Sequence, residues 1–444
     1  MEFLDNLVLP QSSEHIQLLH YMLILVMFLF IPFISIVFGS TAISLYYRTR
    51  GINESNPQYI RFSRDLIETL TINKSVGIIL GIVPVLTAIL IFAQLLHSTG
   101  AATVSLLAAS FFLIAIGLIL VYTYRYSFSL HEVFESIKDY KPEDHEVHNE
   151  IKKYREGSHK LSSKSAVYGI VFLFLGLWIF VTGFSLAILS DRWESVSGLY
   201  SLFSLAVLAR FIHFLITAFA ITGGAILFAF FYWEGGKTLD GEYHAFVKRT
   251  ALRITFAAAF LQPLFLVINI VTLPQNALSG SVFGYAVLSL ILIFAAYHFL
   301  YAMIKEGHIK YSGHVFFVIL FALLALVVQD QLAMSNSTRE QSAILSAKFE
   351  QYLAEIKGAG TVEEVSGEEI FQVRCSTCHR FDQKLVGPPY KETLPKYEGK
   401  MNDLVGFILN PEKIDPAYPP MPNPGLKPNE ARAVAEYIME TYKK

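Results

Sequence analysis

The sequence predicts an all-α protein, an eight-helix transmembrane bundle followed by a small, polar, α-helical domain. Three observations predict it. The chain is 53% hydrophobic with 36 Phe and 23 Tyr, and its mean hydropathy of +0.46 lies outside the range of ordinary soluble domains. Eight apolar runs each reach the roughly 20 residues that a helix needs to cross a bilayer. After residue 335 the character changes, and residues 362–444 are polar and rich in Pro, Lys and Glu. The expected domains are therefore a transmembrane domain over 1–335, a connector over 336–361 and a soluble domain over 362–444.

The first run, 16–46, follows "MEFLDNLVLPQSSEH", which is acidic and lacks the basic region of a cleavable leader. It is expected to stay as a membrane helix. The others lie at 74–97, 102–124, 165–190, 203–233, 252–273, 280–304 and 312–334. Lys and Arg concentrate in the loops after the first, third, fifth and seventh runs, as in "YYRTRG", "IKKYREGSHK" and "FVKRT". The alternate loops carry almost none, Arg192 being the exception. The positive-inside rule then places the basic loops in the cytoplasm, the N-terminus outside and, after eight crossings, the C-terminus outside too. The following segment, "STREQSAILSAKFEQYLAEIKGAG", reads as a charged amphipathic helix ending at Gly. A net charge of -2 gives no basic footprint for nucleic acid.

Both cysteines of the chain lie in "VRCSTCHRFD", spaced C-x-x-C and followed at once by His379. Such a motif holds haem through two thioethers, with the adjacent His placed as proximal iron ligand. A zinc site would need two further ligands at similar spacing, and no other cysteine exists. A redox dithiol would sit in a βαβ pattern, which is absent. Upstream, Ser366 with Glu369 three residues on forms a capping box. Downstream come "LVGPPYKETLPKY" and "PAYPPMPNPGLKPNEARAVAEYIMETY", where Met421 is bracketed by prolines and Val434, Tyr437 and Ile438 mark a helix. The region resembles a small class I cytochrome c over its whole length. That resemblance implies that Cys375 and Cys378 hold one covalent haem c, with His379 and Met421 as its axial iron ligands. Met401, in "EGKMNDL", is the rival distal Met but lacks the proline bracket. Gly387, Pro388 and Pro389 would form the turn packed beside the haem.

Histidines within apolar runs are costly and mark function. His97 and His314, near run ends, read as bonded to neighbouring backbone or headgroups, whereas His20 and His213 read as contacts to haem b or quinone. The stretch "LARFIHFLITAFAITGGAILFAFFYW" places Arg210 three residues before His213. It resembles the fifth helix of subunit I of the cytochrome bd quinol oxidases. "FLFIPFISIVFG", "INKSVGIILGIV", "LGLWIFVTGFSLAI" and "AAAFLQPLFLVI" resemble that family's first, second, fourth and sixth helices, in order.

The chain departs from that family where oxygen chemistry is concerned. The first-helix haem ligand would fall at Met27, and the third-helix carboxylates are missing from "AATVSLLAASFFLIAIGLILVYTY". No Asp or Glu lies deep in any of the eight runs, and "TLPQNALSGS" is too short for the family's quinol loop. Together the two resemblances imply an electron-transfer subunit of a respiratory complex in a bacterial inner membrane. Quinol would be its donor, with Arg210, Gln94, Gln262 and His213 as polar contacts, and a periplasmic redox protein its acceptor. Membrane lipid and other respiratory subunits are the expected partners. The alternatives are a structural docking subunit carrying a tethered cytochrome c, and a terminal bd-like oxidase subunit.

Overall fold

Apolar runs of this length become helices because a bilayer offers the backbone no partner but itself. The computed structural model of the chain describes residues 11–71, 73–136, 145–193, 198–356 and 366–443, and among them every regular element is helical. The long elements are α1 (Ser13–Asn53), α2 (Pro57–Leu70), α3 (Lys74–Gly81), α4 (Val83–Leu95), α5 (Thr103–Ser136) and α6 (His145–Ile188). They continue as α7 (Leu205–Phe231), α8 (Gly241–Val271), α9 (Gly280–Glu306), α10 (Ser312–Ser337) and α11 (Arg339–Ile356). Eight of the described spans are long and apolar enough to cross a membrane, α3 and α4 counting as one. The break between those two, at Ile82, precedes Pro84, which has no N–H to continue the ladder.

The described chain divides into two units. The larger comprises Tyr21–Ala93 and Thr99–Ser337, and the smaller Met1–His20, Gln94–Ser98 and Thr338–Lys444. Within the larger, α5 and α6 form an antiparallel hairpin whose seam is glycine. Gly169, Gly176 and Gly183 recur every seven residues of α6. A Cβ on each would lie 3.3 Å from Leu120, 2.9 Å from Ile114 and 3.2 Å from Leu106 of α5. Small residues let the two backbones approach where lipid gives no hydrophobic drive between helices. The same device recurs where Gly39 of α1 faces Thr222 of α7, and Gly223 faces Thr255 of α8. Thr222 Oγ1 also donates to the Ser35 carbonyl at 3.2 Å. The outside of this bundle is greasy, with Val271 77% and Ile119 66% exposed, as a lipid-facing surface requires.

The smaller unit holds α11 and a compact helical domain. That domain begins with α12 (Gly367–Ile370), which passes into a π-turn over Phe371–Cys375, and continues with α13 (Met401–Leu409) and α14 (Pro428–Lys443). Ser366 caps α12 by accepting from the Glu369 N–H at 3.2 Å, as the capping box predicts. Phe371, Leu404, Val434 and Ile438 are buried together in its core. Gly367 lies so close to the Ala433 carbonyl that no side chain fits there, and this fixes the crossing of α12 and α14. In the same unit, Gln341 of α11 donates to the His97 carbonyl at 2.6 Å. Arg339 pairs with Glu412 at 3.2 Å. The Gly-rich end predicted for the connector, and residues 362–365 of the predicted soluble domain, lie outside the described residues.

Candidate functional site

Local backbone builds the site around the cysteines. The π-turn carries Cys375 into the core while Cys378 stays half-buried, and both thiols are free. The His379 and Cys378 N–H groups donate to the Cys375 carbonyl at 3.0 and 3.1 Å, so the turn folds His379 back over the cysteines. His379 Nδ1 donates to the Pro388 carbonyl at 3.2 Å. This bond fixes the tautomer, leaving the Nε2 lone pair available to a metal. Gly387 packs so close to the imidazole that a Cβ would collide with it. The Tyr390 ring stacks on His379 with centroids 5.0 Å apart and planes 7° from parallel. Imidazole orientation is thus set by three neighbours, two of them in the predicted Gly-Pro-Pro turn.

A cavity of about 350 Å³ opens beside His379, lined by Tyr390, Leu394, Phe407, Ile438 and Met421 among others. Its volume falls within the roughly 300–1,000 Å³ of ligand pockets. Met421 therefore shares a cavity with His379, whereas Met401 begins α13 and packs against the domain core. Burial holds the His379 imidazole below its ordinary value of 6.5, opposed by its bond to Pro388. Burial, with Cys378 adding, pushes the Cys375 thiol up to about 11. Burial, with the two thiols adding, also raises the Tyr390 hydroxyl. Among the described residues no group of three or more His, Cys, Asp or Glu gathers here as a zinc site would need. Two thiols, an imidazole with its metal-binding nitrogen available, a thioether and a cavity whose apolar wall of Leu394, Phe407 and Ile438 faces a charged rim are the donor set and space that a covalent haem requires, and the residues fit it.

The histidines of the apolar runs divide. His213 of α7 is buried and lines a second cavity, of about 110 Å³, with Arg210, Asn269 and Met27. Asn269 donates to His213 Nδ1 at 2.6 Å. His20 belongs to the smaller unit, where its Nδ1 is buried without a hydrogen-bond partner among the described residues. Gln94 bonds His15 at 3.1 Å in that unit, and Gln262 is buried in α8. His314 is ringed by Phe299 and Tyr311. With Nδ1 accepting from Asn269, His213 carries its proton on Nε2 and offers no free nitrogen lone pair to iron, and 110 Å³ does not fit a porphyrin. Asp330 of α10, near the end of the eighth run and with its side chain 37% exposed, pairs with Arg210 at 3.5 Å. Its position in "VVQDQLAM" reads as the start of the polar connector. Only the packing of α7 against α10 shows that it has a cationic partner there.

Comparison with known proteins bears on the C-terminal region. The family described as Cytochrome c matches residues 365–441. Cytochrome c-551 of Pseudomonas denitrificans is 38% identical over 79 residues, covering 17% of this chain and 95% of that protein. Cytochrome c-551 of Azotobacter vinelandii is 33% identical over 78 residues, with the same coverage. That of Ectopseudomonas mendocina is 37% identical over 79 residues.

Proposed function

Through residues 365–441 the chain belongs to the class I cytochromes c, and from that premise we propose that it is the membrane-anchored electron-transfer subunit of a respiratory complex. It takes electrons from membrane quinol and passes them, through one covalent haem c, to a periplasmic redox protein. The observation that carries the reading is the single cavity shared by His379 and Met421, beside two free thiols, on a chain with eight membrane-length helices. When bound, haem c supplies one-electron iron chemistry, and a methionine ligand raises its potential into a range suited to accepting from quinol. The chain's own residues do the rest. Pro388 and Tyr390 orient His379, and Leu394, Phe407 and Ile438 give the cavity its apolar wall.

The location rests on charge. Basic loops alternate with neutral ones, and covalent haem attachment belongs to the outer face of a bacterial inner membrane, so both termini are read as periplasmic. The resemblance to bd oxidase subunit I supports quinol as donor. A docking subunit is the second reading, favoured by the small volume at His213 and the methionine at position 27. A terminal oxidase comes third, because the third run carries no carboxylate.

A pyridine haemochrome spectrum of the purified chain is expected to show one haem c per polypeptide. A soluble quinol analogue should then reduce it anaerobically in membranes containing the intact complex. Haem c that stays oxidised under quinol, while dithionite reduces it, would sink the quinol reading and leave the docking reading. Stoichiometric haem b in the same spectrum would revive His213 as an iron ligand.

A further inference from the structure

The cavity at His213 gathers polar groups from helices that otherwise present hydrocarbon. Arg210 and His213 come from α7, Asn269 from α8, and Gln329, Asp330 and Gln331 from α10, while Met27, Phe184 and Leu326 supply apolar wall. Arg210, His213, Asn269, Gln329 and Gln331 are each at least nine-tenths buried. Six of their polar atoms have no hydrogen-bond partner among the described residues: Arg210 Nη2, His213 Nε2, Asn269 Oδ1, Gln329 Oε1, and both Nε2 and Oε1 of Gln331. Unpartnered buried polar atoms are rare in native proteins, and several around one cavity indicate that something within it satisfies them. The Arg210–Asp330 pair points the same way. At 3.5 Å it is longer than the roughly 2.7–2.9 Å of a direct charge-assisted bond, so each partner keeps capacity for a further hydrogen bond into the cavity. The size decides what the occupant is. About 110 Å³ is too little for a porphyrin, whereas one water needs roughly 10–15 Å³ on the same measure.

We infer that this cavity is a hydrated chamber inside the bundle, in which water links His213 to the Arg210–Asp330 pair and Asp330 serves as proton acceptor. The titratable groups lining it are Arg210, His213 and Asp330. Asn269 occupies His213 Nδ1. A proton entering the chamber is therefore best taken by the carboxylate, which gives up its loose pairing with Arg210. The step is a proton transfer: an O–H bond of a protonated water in the chamber breaks, the O–H bond of the Asp330 carboxyl forms, neutral water is left, and the reverse transfer returns the proton.

Hydroxyl-radical footprinting by X-ray radiolysis, on the full chain in lipid nanodiscs, tests the water. Met27 and Met303 are both wholly buried, but Met27 lines the chamber and Met303 sits in the apolar core. Oxidation of Met27 severalfold above Met303 is expected. Equal protection of both overturns the proposal, and no variant is needed for this arm. Infrared difference spectra across a pH titration test the proton. A deuterium-sensitive band of a protonated carboxyl should grow as pH falls and vanish in Asp330→Asn, whose haem c spectrum serves as the check on folding. A band that persists in that variant, or no such band at any pH, overturns the assignment of Asp330.

Discussion

At the scale of single residues, the two methionines in contention give the sharpest test of the haem site. Met421 lines the His379 cavity and Met401 does not, so Met421→Ala should lower the haem c potential and abolish the methionine–iron charge-transfer band. Met401→Ala should leave both unchanged, and redox titration with visible spectroscopy distinguishes the two results. His379 sets a pH dependence. Burial depresses its basicity below the ordinary 6.5, so the unfolded chain takes up the proton more readily than the folded one. The stability gained from the neutral ring is therefore full above 6.5 and is lost as pH falls below it toward the folded value. In a haem-free Cys375→Ser/Cys378→Ser chain, amide exchange of α14 should be flat with pH above 6.5, after correction for intrinsic rates, and should accelerate below it. The motif, the capping Ser366 and the proline-bracketed Met421 were legible because each follows a fixed local spacing. Asp330 was not, because an acidic residue near a helix end looks solvated until its partner, 120 residues earlier on α7, is packed against it.

At the scale of elements, the helices were legible wherever hydropathy ran unbroken, and less so in how they meet. The seven-residue glycine spacing on α6 is visible in the sequence, but its meaning needs α5 opposite. Gly176→Leu would drive a side chain into Ile114, where a Cβ alone already comes within 2.9 Å. Overpacking of this kind costs about 1–3 kcal/mol or more, and the variant should show a lower thermal midpoint in detergent with an unchanged haem c spectrum. Gly367→Ala meets the backbone carbonyl of Ala433, which is less able to yield than a side chain. Its effect should appear as lowered denaturant resistance of the C-terminal domain, exceeding the roughly 1 kcal/mol expected for the cap variant Ser366→Ala. The interruption at Ile82 escaped the sequence reading, which saw one run over 74–97, although Pro84 marks it.

At the scale of the whole molecule, the testable quantity is topology. The proposed orientation rests on eight candidate spans and an alternating basic-loop pattern, and both termini are expected on one side. Alkaline phosphatase fused after the C-terminus should be active, and the same reporter fused in the Lys-rich loop before the fourth span should be inactive. The reverse pattern would overturn the orientation and, with it, the periplasmic acceptor. The division into an apolar bundle and a polar redox domain was legible from composition alone, because each half uses a different solvent. What joins them chemically was not, since a donor site in a bundle is made by helices distant in sequence.

The crossing of α12 with α14 also sets a timetable for maturation. Residues 428–443 are the last described residues of the chain, yet they close over the helix that leads directly into Cys375. Once they do, that thiol is 7% exposed and held protonated by a pKa near 11, and so is a poor nucleophile. Thioether formation should therefore be faster while the C-terminal helix is undocked, and a variant that loosens that helix should take up haem at least as readily as the wild type.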